Sequence, residues 1–112
     1  MAISEIATGT YNPGATTTTW ASQHGPDTTD AAVQAFVDLH ELVAGDTVEC
    51  RLLEKTQSGS TARVVWSASF SGAQAEPVFA SPVLLVMHGW SMEMRQTAGT
   101  VRDFDWSIRG AA

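Results

Sequence analysis

The sequence predicts an all-β fold: a single-domain antiparallel β-sandwich of about eight short strands, with an extended N-terminal arm and at most one short helical turn. Three observations carry this expectation. Thr and Ser abound, while Lys55 is the only lysine among six basic residues; β-branched Thr suits a pleated surface, whereas Lys and Glu normally coat the exterior of helices. Turn signals recur at short intervals, from Asn12-Pro13-Gly14 and Gly25-Pro26-Asp27 through Gly45-Asp46, Ser58-Gly59-Ser60, Ser71-Gly72, Ser81-Pro82 and Gly89 to Ala98-Gly99. Between them, apolar and polar residues alternate with a period of two. A length of 112 residues holds one core, and a 44% hydrophobic, 16% charged composition is that of a packed globular chain.

Taken in chain order, Ile3 to Tyr11 and Thr16 to Ala21 read as strands. Pro13 and the Thr16 to Thr19 run place this segment at an edge or in an arm. The expected division is therefore an N-terminal strand or arm over 1–21 and a sandwich over 22–112 within a single domain, and deleting residues 2–12 is expected to leave a folded domain.

Asp30 to Ala44 admits two readings. Ala32, Phe36, Leu39 and Val43 fall at helical spacing, with Gly45 placed to terminate a helix. Alternatively, Val33, Ala35 and Val37 form one face of a strand over about 32–38, closing in a helical turn over 39–44. The alternation of Gln34, Phe36 and Asp38 favours the strand.

Val48, Cys50 and Leu52 then alternate with Thr47, Glu49 and Arg51, and a turn at 58–60 leads into Val64, Trp66, Ala68 and Phe70, which gives a central hairpin. Val83-Leu84-Leu85-Val86-Met87 does not alternate, as expected of a strand buried on both faces or covered by a partner. A C-terminal hairpin pairs Met92 and Met94 with Phe104, Trp106 and Ile108 across Ala98-Gly99. The expected core is Val48, Leu52, Val64, Trp66, Met94, Phe104 and Trp106.

Charge and motifs exclude several function classes. Twelve acidic against six basic residues give a net charge of −6, so a surface that tracks phosphates would work against the overall field and nucleic acid is not an expected partner. The longest apolar run falls far short of the roughly 20 residues a membrane helix needs. The first residues have neither the basic nor the apolar region of a signal peptide, so synthesis and assembly in a cytoplasm are expected. Cys50 has no second cysteine to pair with.

Val83 to Trp90 has the look of the strand and His-Gly turn before a hydrolase oxyanion hole. The chain has no Gly-x-Ser-x-Gly elbow, however, and this stretch reads as a strand ending in a glycine turn. His24, His40 and His88 are too scattered for a zinc site. Asp103 and Asp105 project from one strand face, where flanking Arg102 and Arg109 make a salt-linked surface the expected arrangement. No catalytic, metal or cofactor residue is assigned. The aromatics are more informative. Trp66 and Trp106 are in phase with apolar neighbours, whereas Trp20, Phe79 and Trp90 sit beside turns where no core is obvious and are candidates for partner contacts or for a sugar-stacking platform.

Three stretches carry a family resemblance: Ile6-Ala7-Thr8-Gly9-Thr10-Tyr11, Val37-Asp38-Leu39 through Ala44 to Lys55, and Arg95 through Ala98-Gly99-Thr100 to Arg109. They resemble the small virion structural proteins of tailed bacteriophages and prophages. The resemblance implies a capsid-associated or tail-associated β-sandwich, located in the virion after assembly in the host cytoplasm, and transfers no functional residue. The expected function is that of a capsid decoration, or cement, protein, with a neck or tail component and a virion-displayed carbohydrate-binding module as alternatives. The expected partners are the major capsid protein and neighbouring copies of the chain, with a surface glycan under the third reading. Ile3, Ile6 and Tyr11 on the arm, with Trp20, Phe79 and Trp90, are the candidate interface residues.

Overall fold

A computed structural model describes residues 2–111. Alternation of buried and exposed side chains builds nine strands: β1 (Ile3–Tyr11), β2 (Ala21–Asp27), β3 (Ala31–Asp38), β4 (Thr47–Glu54), β5 (Arg63–Ser71), β6 (Val78–Ala80), β7 (Leu84–Val86), β8 (Trp90–Ala98) and β9 (Phe104–Ala111). They form two antiparallel sheets packed face to face as a β-sandwich. Sheet A runs β1-β9-β3, with β6 and β7 both pairing along the far edge of β3, and sheet B runs β2-β8-β4-β5.

The core follows from the period of two. Val33, Ala35 and Val37 of β3 and Phe104, Trp106 and Ile108 of β9 meet Val48, Cys50 and Leu52 of β4 and Trp90, Met92 and Met94 of β8 between the sheets. Residues 31–44 form a strand followed by turns, with amide-to-carbonyl bonds from Leu42 to Leu39 and from Asp46 to Val43. Leu39 and Leu42 close the core beneath them. The helical spacing of Leu39 and Val43 reflects this tight turn and not a helix.

Several expectations are corrected. The sandwich has nine strands, five in sheet A and four in sheet B, with one edge of sheet A split in two. β6 and β7 oppose Phe36–Asp38 and Ala31–Val33 of β3. Between them Ser81 keeps the ladder closed, its N–H donating to the Ala35 carbonyl at 2.8 Å and its Oγ accepting the Ala35 N–H at 2.9 Å. Val83–Met87 is not buried on both faces: Val86 is buried, but Leu85 is 86% exposed.

The C-terminal hairpin does not form, because β8 lies in sheet B and β9 in sheet A. The central hairpin does, with Cys50 opposite Ala68. There a register shift between Leu52 and Leu53 sets Val64 opposite Leu53 on the outer face, so Val64 is exposed and not core. Gly25-Pro26-Asp27 lies within β2, and residues 16–20 cross the edge of the sandwich without forming a strand.

Residues 3–11 take the edge-strand alternative and not that of an arm. β1 pairs with β9 along its length, from Ile3 opposite Ala111 to Tyr11 opposite Phe104. Gly9 sits under the Trp106 indole, where a Cβ would come within 2.8 Å of the ring. The Trp106 Nε1–H donates to Gln23 Oε1 at 3.1 Å. Two outcomes are expected in chemical denaturation. Trp106→Ala should lower stability by about 3–5 kcal/mol through cavity formation, as a lower midpoint at unchanged slope. Deleting residues 2–12, which removes β1 and the buried Tyr11, should abolish the cooperative transition.

Candidate functional site

The six candidate residues divide by environment. Tyr11 is core: its ring stacks near Phe104 with centroids 6.2 Å apart, and its hydroxyl oxygen accepts the Gln96 N–H at 3.0 Å. Trp90 is fully buried, and its indole N–H donates to the Thr29 carbonyl at 3.0 Å. Neither is a surface anchor: Trp90 continues the inward alternation of Met92 and Met94 on β8, and Tyr11 ends β1 opposite the core residue Phe104. Phe79 points inward as well, stacked on Trp66 at 5.5 Å and edge-on to Phe70 at 4.6 Å. Ile6 packs against the core. Trp20 is partly exposed, with the guanidinium groups of Arg51 and Arg95 at 4.1 and 4.2 Å from its ring. Ile3 alone is freely exposed, at 71%. The structure therefore does not bring Trp20, Phe79 and Trp90 together as a platform.

The two outer faces differ in chemistry. On sheet B, Glu49 pairs with Arg95 at 2.6 Å and Arg51 with Glu93 at 2.7 Å, in a crossed ladder that Trp20 covers. The Arg95 guanidinium also donates to the Thr18 carbonyl, and the Thr17 N–H donates to the Gln96 carbonyl, which straps residues 17–20 onto the sheet. Apart from Leu53 and the exposed Val64 at one end of β4 and β5, this face is polar and internally matched.

The outer face of sheet A is not. Residues opposite one another in a sheet share a face, and the register places Ile3, Ala111, Ala32 and Leu85 in one row across β1, β9, β3 and β7. Val83 joins them beside a groove of about 310 Å³ that also includes Ala32, Phe36 and Arg109. Met87 continues the apolar rim next to Leu85. Val83 and Met87 are 62% and 52% exposed. The Arg109 guanidinium lies 3.9 Å over the Phe36 ring and marks the end of this apolar zone. Beyond it a second groove is lined by Thr8, Phe36, Asp38, Val78 and Asp105. The Asp105 carboxylate accepts the Thr10 hydroxyl at 2.7 Å, and Asp38 accepts the His40 N–H at 3.0 Å. The expected salt-linked pair at Asp103 and Asp105 does not form, because Arg102 turns inward to Asp46 at 2.9 Å.

Val78, Val83, Leu85 and Met87 are interface candidates that the aromatic-centred reading passed over. The signal for most of them was the unalternating Val83–Met87 run, whose second explanation was cover by a partner.

One buried carboxylate holds this rim in place. Glu54 accepts the N–H groups of Met87 and of His88 (3.1 Å), and that of Lys55 at 2.7 Å, which fixes the chain just after Leu85. Burial opposes ionisation of Glu54, but these three N–H donors outweigh it and hold the carboxyl below the usual range. Burial also opposes ionisation of Asp46, and the Val43 and Thr100 N–H groups with the Arg102 guanidinium outweigh it in the same way. Burial pushes the Cys50 thiol up to about 12, so it is no nucleophile at neutral pH. Among the described residues no group of three or more His, Cys, Asp or Glu side chains is placed to hold a metal, and no helix is long and apolar enough to cross a membrane.

A carboxyl whose folded-state pKa lies below its unfolded value stabilises the fold above that unfolded value and loses its contribution as pH falls through the folded one. Stability should thus hold above the usual glutamate value of 4.5 and fall below it. Glu54→Gln should cost about 1–3 kcal/mol at neutral pH and flatten the acid limb, both read from denaturation midpoints across a pH series. Comparison with protein-family models, curated proteins and solved structures finds no match for the chain.

Proposed function

We propose that this protein is a virion structural component of a tailed bacteriophage, a capsid decoration protein that binds the outside of the major capsid shell and stabilises it. The observation that carries the reading is the row of large apolar side chains on the outer face of sheet A, with Ile3, Val83, Leu85 and Met87 all more than half exposed. An apolar patch of this kind on a small acidic domain marks a protein interaction surface. The resemblance of residues 37–55 and 95–109 to phage virion proteins supplies the setting.

Binding acts by mass action: contacts made only with the closed shell favour it over its opened states, and the gain grows with the concentration of the free protein. The face presented to the shell is sheet A, and the polar, internally paired face of sheet B is turned to solvent. Copy number separates this reading from a neck or tail role, since a decoration protein matches the repeat of the capsid lattice.

The test is co-sedimentation with particles assembled without the chain. Leu85→Ser should weaken binding about tenfold or more while leaving the denaturation midpoint nearly unchanged, because an 86% exposed side chain contributes little to the fold. Full-strength binding by Leu85→Ser, or no binding by the parent chain, would overturn the reading.

A further inference from the structure

We infer that the outer face of sheet A is a two-part docking surface for a polypeptide segment of a partner, whose apolar side chains cover the Ile3–Leu85 row and whose basic side chains meet Asp38 and Asp105. The inference rests on the decoration reading only in taking sheet A as the binding face, and it names the chemistry of what binds there.

The face is graded along its strands. One end carries the row Ile3, Ala111, Ala32 and Leu85, with Val83 beside it. The other end carries Asp38 and Asp105 around the second groove. Asp38 lies six residues along β3 from Ala32, so the two ends are roughly 20 Å apart at the strand rise of about 3.3 Å. Between them Arg109 lies over Phe36 and sits opposite Glu5 in the β1–β9 register, and at the acidic end the His40 Nδ1 lies 2.9 Å from the Asp38 carboxylate. Three carboxylates, those of Glu5, Asp38 and Asp105, therefore share the face with one guanidinium and the exposed His40 imidazole beside Asp38.

This arrangement argues against a second copy as the occupant. Face-to-face dimers that overlap the whole face about a two-fold axis have two choices, and an offset dimer that joins only the apolar rows leaves both acidic ends uncovered. If the apolar rows meet, the carboxylate ends also meet and repel. If the molecules are reversed, each apolar row covers the other's carboxylates and desolvates them without a partner. The net charge of −6 on each copy adds to the cost. A segment that is apolar at one end and carries Lys or Arg about 20 Å away satisfies both halves. That distance corresponds to roughly six residues in an extended segment or thirteen in a helix.

The experiment is selection of a random peptide library, long enough for either spacing, on the purified full chain, followed by fluorescence anisotropy with the enriched peptides. Enriched sequences should carry an apolar cluster and a basic cluster at one of the two spacings. Their affinity should fall about tenfold against Leu85→Ser and by a similar factor against Asp38→Asn with Asp105→Asn, and should be unchanged against Ser69→Ala on sheet B. Both sets of substitutions lie at the surface, and a denaturation midpoint checks that each variant is folded. No enrichment, enrichment of acidic peptides, or parent-level binding to Leu85→Ser would overturn the inference. So would light scattering that shows a dimer dissolved by Leu85→Ser, since the occupant would then be a second copy. Peptide binding as expected with no binding to particles would leave this surface in place and remove only the decoration reading.

Discussion

The buried polar cluster at one end of the sandwich is the constraint on which much of the architecture depends. Gln96 is fully buried on β8 and bonds to five residues in three chain segments at once. Its N–H donates to Tyr11 Oη, its carbonyl accepts from Thr17, its side-chain amide donates to the carbonyls of Ala98 and Thr100, and its Oε1 accepts from Arg102. Asp46, 2% exposed, continues the network by accepting from Val43, Thr100 and Arg102. Among the described residues no buried side-chain polar atom lacks a partner. Removing one member would strand the others away from water, so the cluster holds the two sheets in one register.

That cluster explains how β8 and β9 lie in different sheets despite a short connection. Gly99 has a left-handed backbone with φ +88, and a Cβ there would collide with Asp46. The chain can therefore turn tightly over Asp46 and pass from one sheet to the other. The same cluster anchors Tyr11 and Thr17 and so sets where β1 ends and where the strap over sheet B begins. A small domain without a disulfide gains its definition here from a few saturated polar groups set against a continuous apolar layer.

The two outer faces show a division of labour with a physical basis. Sheet B satisfies its own charges, with each Arg matched to a Glu across the β4–β8 register and covered by Trp20. Sheet A leaves Ile3, Val83, Leu85 and Met87 in water. The split β6–β7 edge contributes three of these four residues or their immediate flank, and Ser81 and Glu54 hold that edge without needing a full strand ladder. The exposed row is thus a rigid surface, built on paired strands and on chain clamped by a buried carboxylate, and no ordering of a flexible arm is required for it to bind.

Local sequence determined most of the strands, though not β2, whose Gly25-Pro26-Asp27 reads as a turn, or the three-residue β6. Alternation over 33–38, 48–52, 92–94 and 104–108 identified the inner faces, because a period of two leaves the apolar set only one side to occupy. The turn chemistry at Ser58-Gly59-Ser60 closed the one true hairpin correctly. Tertiary structure alone decided which strands pair, since alternation is silent about sheet membership and a five-residue connection serves either a hairpin or a crossing between sheets. It also decided the fate of the aromatics. Tyr11 and Phe79 have no apolar periodicity around them, and each is buried by a segment distant in sequence, whereas Trp90 extends the Met92–Met94 alternation by one step up to the Gly89 turn. Leu85 and Val83 are as apolar as any core residue, but the sheet they join has its inner face already filled through Val33, Val86 and Ile108. Their place on the outside follows from pairing register, which only the folded chain specifies.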